Sequence, residues 1–476
     1  MLFNSYQFLV FYPVVTLAYF GLPQRLRWAM LLAASCYFYM AFVPVYILIL
    51  FFTIGVDYVA GLMIEQARGR RRRMYLSLSL AANIGVLAFF KYFNFLNANV
   101  AAVAHFLHWN YPISSLQILL PISLSFHTFQ SMSYTIEVYR GRHKAERHLG
   151  IFALYVMFYP QLVAGPIERP QNLLHQFREV HHFDEDEFLS GFTLMLWGLF
   201  KKCVIADRLA LYVNQIYDHP FEYRGTPLLI STVFFAVQIY CDFSGYSDVA
   251  IGSARTMGFR LMLNFNHPYA ADCVPDFWRR WHISLSTFFR DYLYIPMGGS
   301  RVSVWRWCYN IMVTFLLSGL WHGASWNFVI WGGLHGLYMI GSRLTAAWRE
   351  ALARASGIAK IPWLRKAFKV LITFSLVNVA WIFFRAPSFP AAVHIVMHLF
   401  SARVDSIYFS FSGRDFRLAL LCVTIVFLAD ALRDHPAVRS LAALQGGPRF
   451  GLLLLLTLLI FNYGIIDNIP FIYFQF

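Results

Sequence analysis

The chain has 476 residues, of which 59% are hydrophobic and only 13% charged, and its mean hydropathy is +0.53. That balance excludes a soluble multidomain protein and makes the lipid bilayer the solvent. The formal charge of +15 comes from Lys and Arg that lie largely between apolar stretches, as membrane topology requires, so nucleic acid is not an expected partner.

Each crossing helix needs about 20 apolar residues with every backbone amide bonded internally. Candidate spans lie near residues 8–21, 28–43, 44–64, 75–96, 113–136, 150–165, 188–206, 227–251, 308–323, 326–342, 368–386, 416–432 and 450–468. The expected fold class is all-α: one polytopic transmembrane helical bundle over residues 1–476, with about 11–13 spans plus re-entrant or interfacial helices. The first charged side chain is Arg25, so the stretch from Phe8 to Phe20 reads as a retained first span rather than a cleaved signal.

The run RGRRRR from Arg68 to Arg73 marks residues 65–74 as cytoplasmic. Counting from there brings the basic segment Arg140 to His148 back to the cytoplasm and leaves the N-terminus outside. Arg343 to Lys369 and Arg433 to Arg449 are also expected inside, which puts the C-terminal tail, 468–476, on the periplasmic side. Residues 255–300 mix Arg, Asp, His and Pro with aromatics at a density that lipid does not tolerate, and read as a re-entrant or interfacial region. No inverted internal repeat is visible, which counts against a secondary transporter.

Cys36, Cys203, Cys241, Cys273, Cys308 and Cys422 are scattered, with no CxxC pair. They read as small core residues, and neither a disulfide framework nor a metal site is expected.

Three segments carry chemistry. QIYCDFSGYSD places Asp242 and Asp248 at the end of an apolar run, where a carboxylate could orient a His, hold an Arg cluster or serve a structural ion pair. DFWRRWHISLSTFFRDYLYIPMGGSR, from Asp276 to Arg301, gathers Trp278, Arg279, Arg280, Trp281 and His282. Helical spacing would set Trp278, His282 and Ser286 on one face. Arg279, Arg280 and Arg290 could pair with the phosphates of a pantetheine-bearing donor, or the segment could be an interfacial amphipathic helix with anchoring Trp.

The third segment, LSGLWHGASWNFVIWGGLHG from Leu317 to Gly336, buries His322 and His335 in an apolar, aromatic and glycine-rich stretch. An ionisable side chain within a span is usually functional. A neutral imidazole at His322 could take a proton from an attacking hydroxyl, with Trp321 and Trp326 walling a narrow pocket. A buried His satisfied by a neighbouring carbonyl is the other reading of that residue.

YPQLVAGPIERP at Tyr159 to Pro170, QIYCDFSGYSD at Gln238 to Asp248, FWRRWHISLSTFFRDYLYIPMGG at Phe277 to Gly299 and SGLWHGASW at Ser318 to Trp326 resemble the membrane-bound O-acyltransferase superfamily. Within it they look most like the bacterial alginate O-acetyltransferase type. The resemblance implies a helical bundle around a central funnel, a catalytic histidine at His322 and a supporting polar position at His282. Donor binding would then fall to Trp278, Arg279, Arg280, Ser286, Arg290 and Trp321. The ending FIYFQF is similar to that of a small partner in teichoic-acid D-alanylation, which makes Tyr473 a candidate acyl carrier; an aromatic-belt role is the alternative.

The expected reaction is transfer of acetyl from a cytoplasmic thioester, acetyl-CoA or an acyl carrier protein, across the bacterial inner membrane to an exported polysaccharide such as alginate. No bound cofactor or metal is expected. A periplasmic SGNH-type acetyltransferase is the expected partner. The rival readings are a transporter or flippase that makes no covalent bond, and D-alanyl transfer to teichoic acid.

Overall fold

The computed structural model describes residues 1–116, 121, 123–401, 413–432, 446–465 and 471–472. The described residues form helices joined by loops and turns, with no β-strand among them. Five continuous helices are long and apolar enough to cross a membrane: Pro44–Gln66, Gly69–Phe106, Glu185–Asp218, Thr226–Arg255 and Pro362–Arg385. Others of sufficient length carry Trp, His, Asn and Gly that lower their hydropathy. The chain divides into two compact units, one of residues 1–195 and 246–262, the other of the described residues within 196–245 and 263–472.

The first unit contains α1 (Tyr6–Gly21), α2 (Gln24–Met40), α3 (Ile47–Gln66), α4 (Gly69–Leu87), α5 (Phe93–Phe106), α6 (Leu124–Tyr139), α7 (Leu149–Met157), α8 (Tyr159–Leu162) and α9 (Pro170–Leu173). A π turn over Ala88–Tyr92 joins α4 to α5 without a break. Asp57 of α3 is fully buried and ties three helices together. It accepts from Ser79 Oγ at 2.6 Å and Asn83 Nδ2 at 2.8 Å in α4, and from Ser131 Oγ in α6. A carboxyl group removed from water needs these donors.

The expected spans at 113–136 and 150–165 are corrected here. Ser123 takes a left-handed conformation and α6 begins only at Leu124. In the next stretch α7 has nine residues, about 14 Å of helix against a hydrocarbon core of about 30 Å. It stops at Phe158, just before Pro160. Neither α7 nor α8, which has four residues, reaches spanning length. Residues 178–181 lie beside the basic end of α2: Gln24 Nε2 donates to the Glu179 carbonyl at 2.6 Å and Arg27 Nη1 to that of His181 at 2.7 Å, while Arg178 pairs with Glu146.

The second unit takes the end of α10 (Glu185–Leu199), α11 (Asp207–Asp218) and most of α12 (Thr226–Arg255). It continues with α13 (Val274–Arg280), α14 (Ile283–Phe289), α15 (Val304–His322), α16 (Trp326–Leu344), α17 (Ala346–Ala355), α18 (Pro362–Arg385), α19 (Phe389–His398), α20 (Gly413–Leu432) and a last helix at Gly447–Tyr463. A π turn over Phe200–Ala206 links α10 to α11. Between 263 and 300 no helix reaches spanning length.

Helices α15 and α16 form the hairpin that positions the site. Gly323, with extended backbone, ends α15 immediately after His322, and Ser325 Oγ caps α16 by accepting from Asn327 N at 3.3 Å. The connection is thus Gly-Ala-Ser. The two helices touch through Gly319 and Gly332. A Cβ on either would collide with a backbone carbonyl of the other helix, of Phe328 and Phe315 respectively.

Candidate active site

His322 is 3% exposed at the last residue of α15, enclosed by aromatic rings from four segments. Ring centroids of Trp331 in α16, Trp321 and Phe384 in α18 lie 4.8, 4.9 and 5.5 Å away, all edge-on. The His282 ring lies at 6.5 Å. Edge-on packing directs ring hydrogens toward π faces and fixes the imidazole's orientation.

His282 reaches this cluster because the helix breaks around it. The expectation that Trp278, His282 and Ser286 share one helical face is overturned: α13 ends at Arg280, Trp281 is extended, and His282 sits at φ 44°, ψ 54° before α14. A left-handed backbone at a residue other than Gly is uncommon, and here side-chain bonds hold it. Asn264 Oδ1 accepts from Ser284 Oγ at 2.9 Å and from Ser284 N at 3.3 Å. The same oxygen lies 3.1 Å from His282 Nδ1. Since that oxygen can only accept, Nδ1 carries the proton and Nε2 bears the lone pair. Burial pushes the His282 imidazole down to about 3, so it is neutral near pH 7.

The other expected residues are distributed as follows. Trp321 and His282 join His322. Trp278 instead packs on His335, donating from Nε1 to His335 Nδ1 at 3.3 Å. His335, fully buried, is part of an aromatic layer with Trp331 and Phe277. Ser286 Oγ donates to the Trp281 carbonyl at 3.1 Å. Arg279 and Arg280 both pair with Asp276, at 3.4 and 2.7 Å, and Arg290 pairs with Asp291 at 2.7 Å. Trp326 is exposed. Tyr473 lies outside the described residues.

Among the described residues Asp242 contacts neither a histidine nor an arginine. It pairs with Lys202 at 2.6 Å, a cation that also contacts Asp207 at 2.8 Å. The sequence reading passed over this triad, although two lysines in the apolar run 188–206 were its signal. It also missed Asn264, Trp381 and Phe384. Trp381 stacks on Trp331 at 5.8 Å and donates from Nε1 to Tyr269 Oη at 3.2 Å.

Helices without strands among the described residues, several of them long and apolar enough to cross a membrane, make this a helical membrane protein, and similarity to known proteins shows its family. Residues 147–384 match the model of the membrane-bound O-acyltransferase family, and the chain belongs to that family. It is an acyltransferase and a multi-pass membrane protein. Over 409 residues it is 40% identical to the "probable alginate O-acetylase" of Pseudomonas aeruginosa, covering 84% of this chain and 75% of that one. It is 33% identical over 431 residues to the peptidoglycan O-acetyltransferase of Helicobacter pylori, covering 83% and 79%. Similarity to the teichoic acid D-alanyltransferase of Bacillus subtilis is lower, 26% over 243 residues, covering 48% and 60%. Family membership removes the reading of a transporter that makes no covalent bond.

Proposed function

We propose that this protein moves acetyl groups from a cytoplasmic thioester toward an exported polysaccharide, with His322 as general base. The observation that carries the reading is the placement of His322, buried at a helix end and 6.5 Å from a second, neutral histidine ring. Relatives at 40% and 33% identity are named for O-acetylation of alginate and peptidoglycan, which favours acetyl over D-alanyl.

The chemistry follows from the imidazole. His322 takes the proton of an acceptor hydroxyl as its oxygen attacks the thioester carbonyl. The C–S bond then breaks, and the imidazolium returns the proton to the departing thiolate. The aromatic wall keeps water from competing for the acyl group. His282, with its proton on Nδ1 and its lone pair on Nε2, supports the orientation of substrate or His322. The donor is acetyl-CoA or an acylated carrier protein. Arg279, Arg280 and Arg290 supply cations for its phosphates once they exchange carboxylate partners.

Tyr473 serves as the acyl relay, and a periplasmic SGNH-type transferase completes delivery. The protein sits in the bacterial inner membrane with both termini outside. His322→Ala should insert normally and lower polymer acetylation at least about a hundredfold, the contribution typical of a general base. Acetylation retained in that variant, measured as acetyl released from purified polymer, removes His322 from this role.

A further inference from the structure

In the first unit the start of α10 meets the end of α12 at a pair of glycines. A Cβ on Gly191 would lie 2.6 Å from the Gly252 carbonyl oxygen, and one on Gly252 would lie 2.5 Å from that of Gly191. Backbones this close leave no room for side chains at the crossing. Beyond it, toward Glu185 and Arg255, the two helices border a cavity of about 500 Å³. The chain that follows α12 forms its third wall. Gln176 holds Arg260 there by both main-chain groups, donating from Nε2 to the carbonyl at 2.9 Å and accepting the N–H on Oε1 at 2.8 Å. Phe259 is buried and packs on the rings of Phe177 and His181 at 5.3 and 4.7 Å. The wall is therefore set before any ligand arrives, which lowers the cost of binding one.

The lining carries two cations and two anions. Arg255 Nη1 donates to Ser190 Oγ at 3.0 Å, Arg260 faces Glu187 at 3.6 Å, and Asp186 is the neighbour of Glu187 in the first turn of α10. Ile251, Phe259 and Leu261 make the remaining surface apolar. Depth in the membrane follows from helix length. The 30 residues of α12 extend about 45 Å, which matches the hydrocarbon core together with its headgroup layers. Arg255, its last residue, stands at headgroup level, and so does the start of the spanning helix Glu185–Asp218.

We propose that this cavity binds the phosphoethanolamine headgroup of a bilayer lipid. Arg255, Arg260 and Ser190 take the phosphate, Asp186 and Glu187 take the primary ammonium, and the apolar side receives the start of the acyl chains. The two carboxylates select among lipids. They repel an anionic headgroup that offers no ammonium, and a choline headgroup has no N–H to donate to them. A polyanion such as coenzyme A meets the same repulsion.

The test uses the full-length protein, stripped of lipid in detergent and offered phosphatidylethanolamine, phosphatidylcholine or phosphatidylglycerol with identical chains. Bound lipid is counted by native mass spectrometry. The ethanolamine lipid should be retained at least about tenfold better than either other lipid, a difference of one good charge-assisted contact. Asp186→Asn combined with Glu187→Gln should remove that preference without weakening retention of phosphatidylglycerol. Arg260→Ala should lower retention of all three lipids, and with its side chain 84% exposed the substitution leaves the fold intact. Equal retention of the three lipids by the unaltered protein overturns the proposal, as does an ethanolamine preference that survives loss of both carboxylates. Displacement of the lipid by coenzyme A also overturns it, and would make the cavity part of the donor's path.

Discussion

At His282 the ring's chemistry is set one nitrogen at a time. Asn264 fixes the proton on Nδ1, burial keeps the ring neutral, and the left-handed backbone turns it toward His322. Asn264→Ala should therefore lower kcat more than tenfold while KM changes little, because it releases an orientation rather than a substrate contact. A proportional rise in KM instead would make Asn264 part of substrate binding. The same burial has a pH consequence. With a folded pKa of about 3 against an ordinary 6.5, the unfolded chain binds the extra proton between those values. Stability from this site is complete above pH 6.5 and is lost as pH falls toward 3, on the order of 1 kcal/mol per pH unit.

At the level of elements, the hairpin of α15 and α16 depends on backbone meeting backbone. Gly319→Ala would push a methyl group into the Phe328 carbonyl and force the helices apart, at a cost of about 1–3 kcal/mol. Gly341→Ala, also in this hairpin, meets nothing within 4 Å and should leave stability unchanged or slightly improved. Thermal unfolding of the two variants in detergent compares them, and equal midpoints would refute the close packing. The glycines of this stretch were legible as close-approach positions, since five fall among residues 317–336. The break between α13 and α14 was not. WRRWHISLS has helical apolar spacing, and bonds from a separate stretch, those of Asn264 to His282 and Ser284 and of Asn266 N to the Arg280 carbonyl, accompany the left-handed His282.

On the scale of the whole molecule, membrane residence and family follow from composition and from long motifs such as SGLWHGASW, which are contiguous in sequence. Sidedness was harder to read. Residues 150–165 are apolar enough for a span, yet Pro160 and Gly165 punctuate them and α7 stops after nine residues. The hydrogen bonds from Gln24 and Arg27 then keep residues 178–181 on the face that carries the basic end of α2. Val180→Cys should accordingly react with a membrane-impermeant maleimide in inverted vesicles and not in intact cells. Labelling in intact cells would restore the crossing at 150–165. Contacts between distant segments, such as Lys202 with Asp242 or Trp381 with Trp331, leave no periodic trace in the sequence, which is why those partners were invisible there.

The three-residue link between α15 and α16 also restricts how this chain can change length. His322 is the last helical residue, so one residue inserted in α15 ahead of it would swing the imidazole by about 100° around the helix axis. The Gly-Ala-Ser link, with a cap at its far end, has no slack to absorb the shift. Insertions and deletions should therefore be confined to exposed connections such as 345–361. Within the hairpin, sequence drift must proceed by substitution alone.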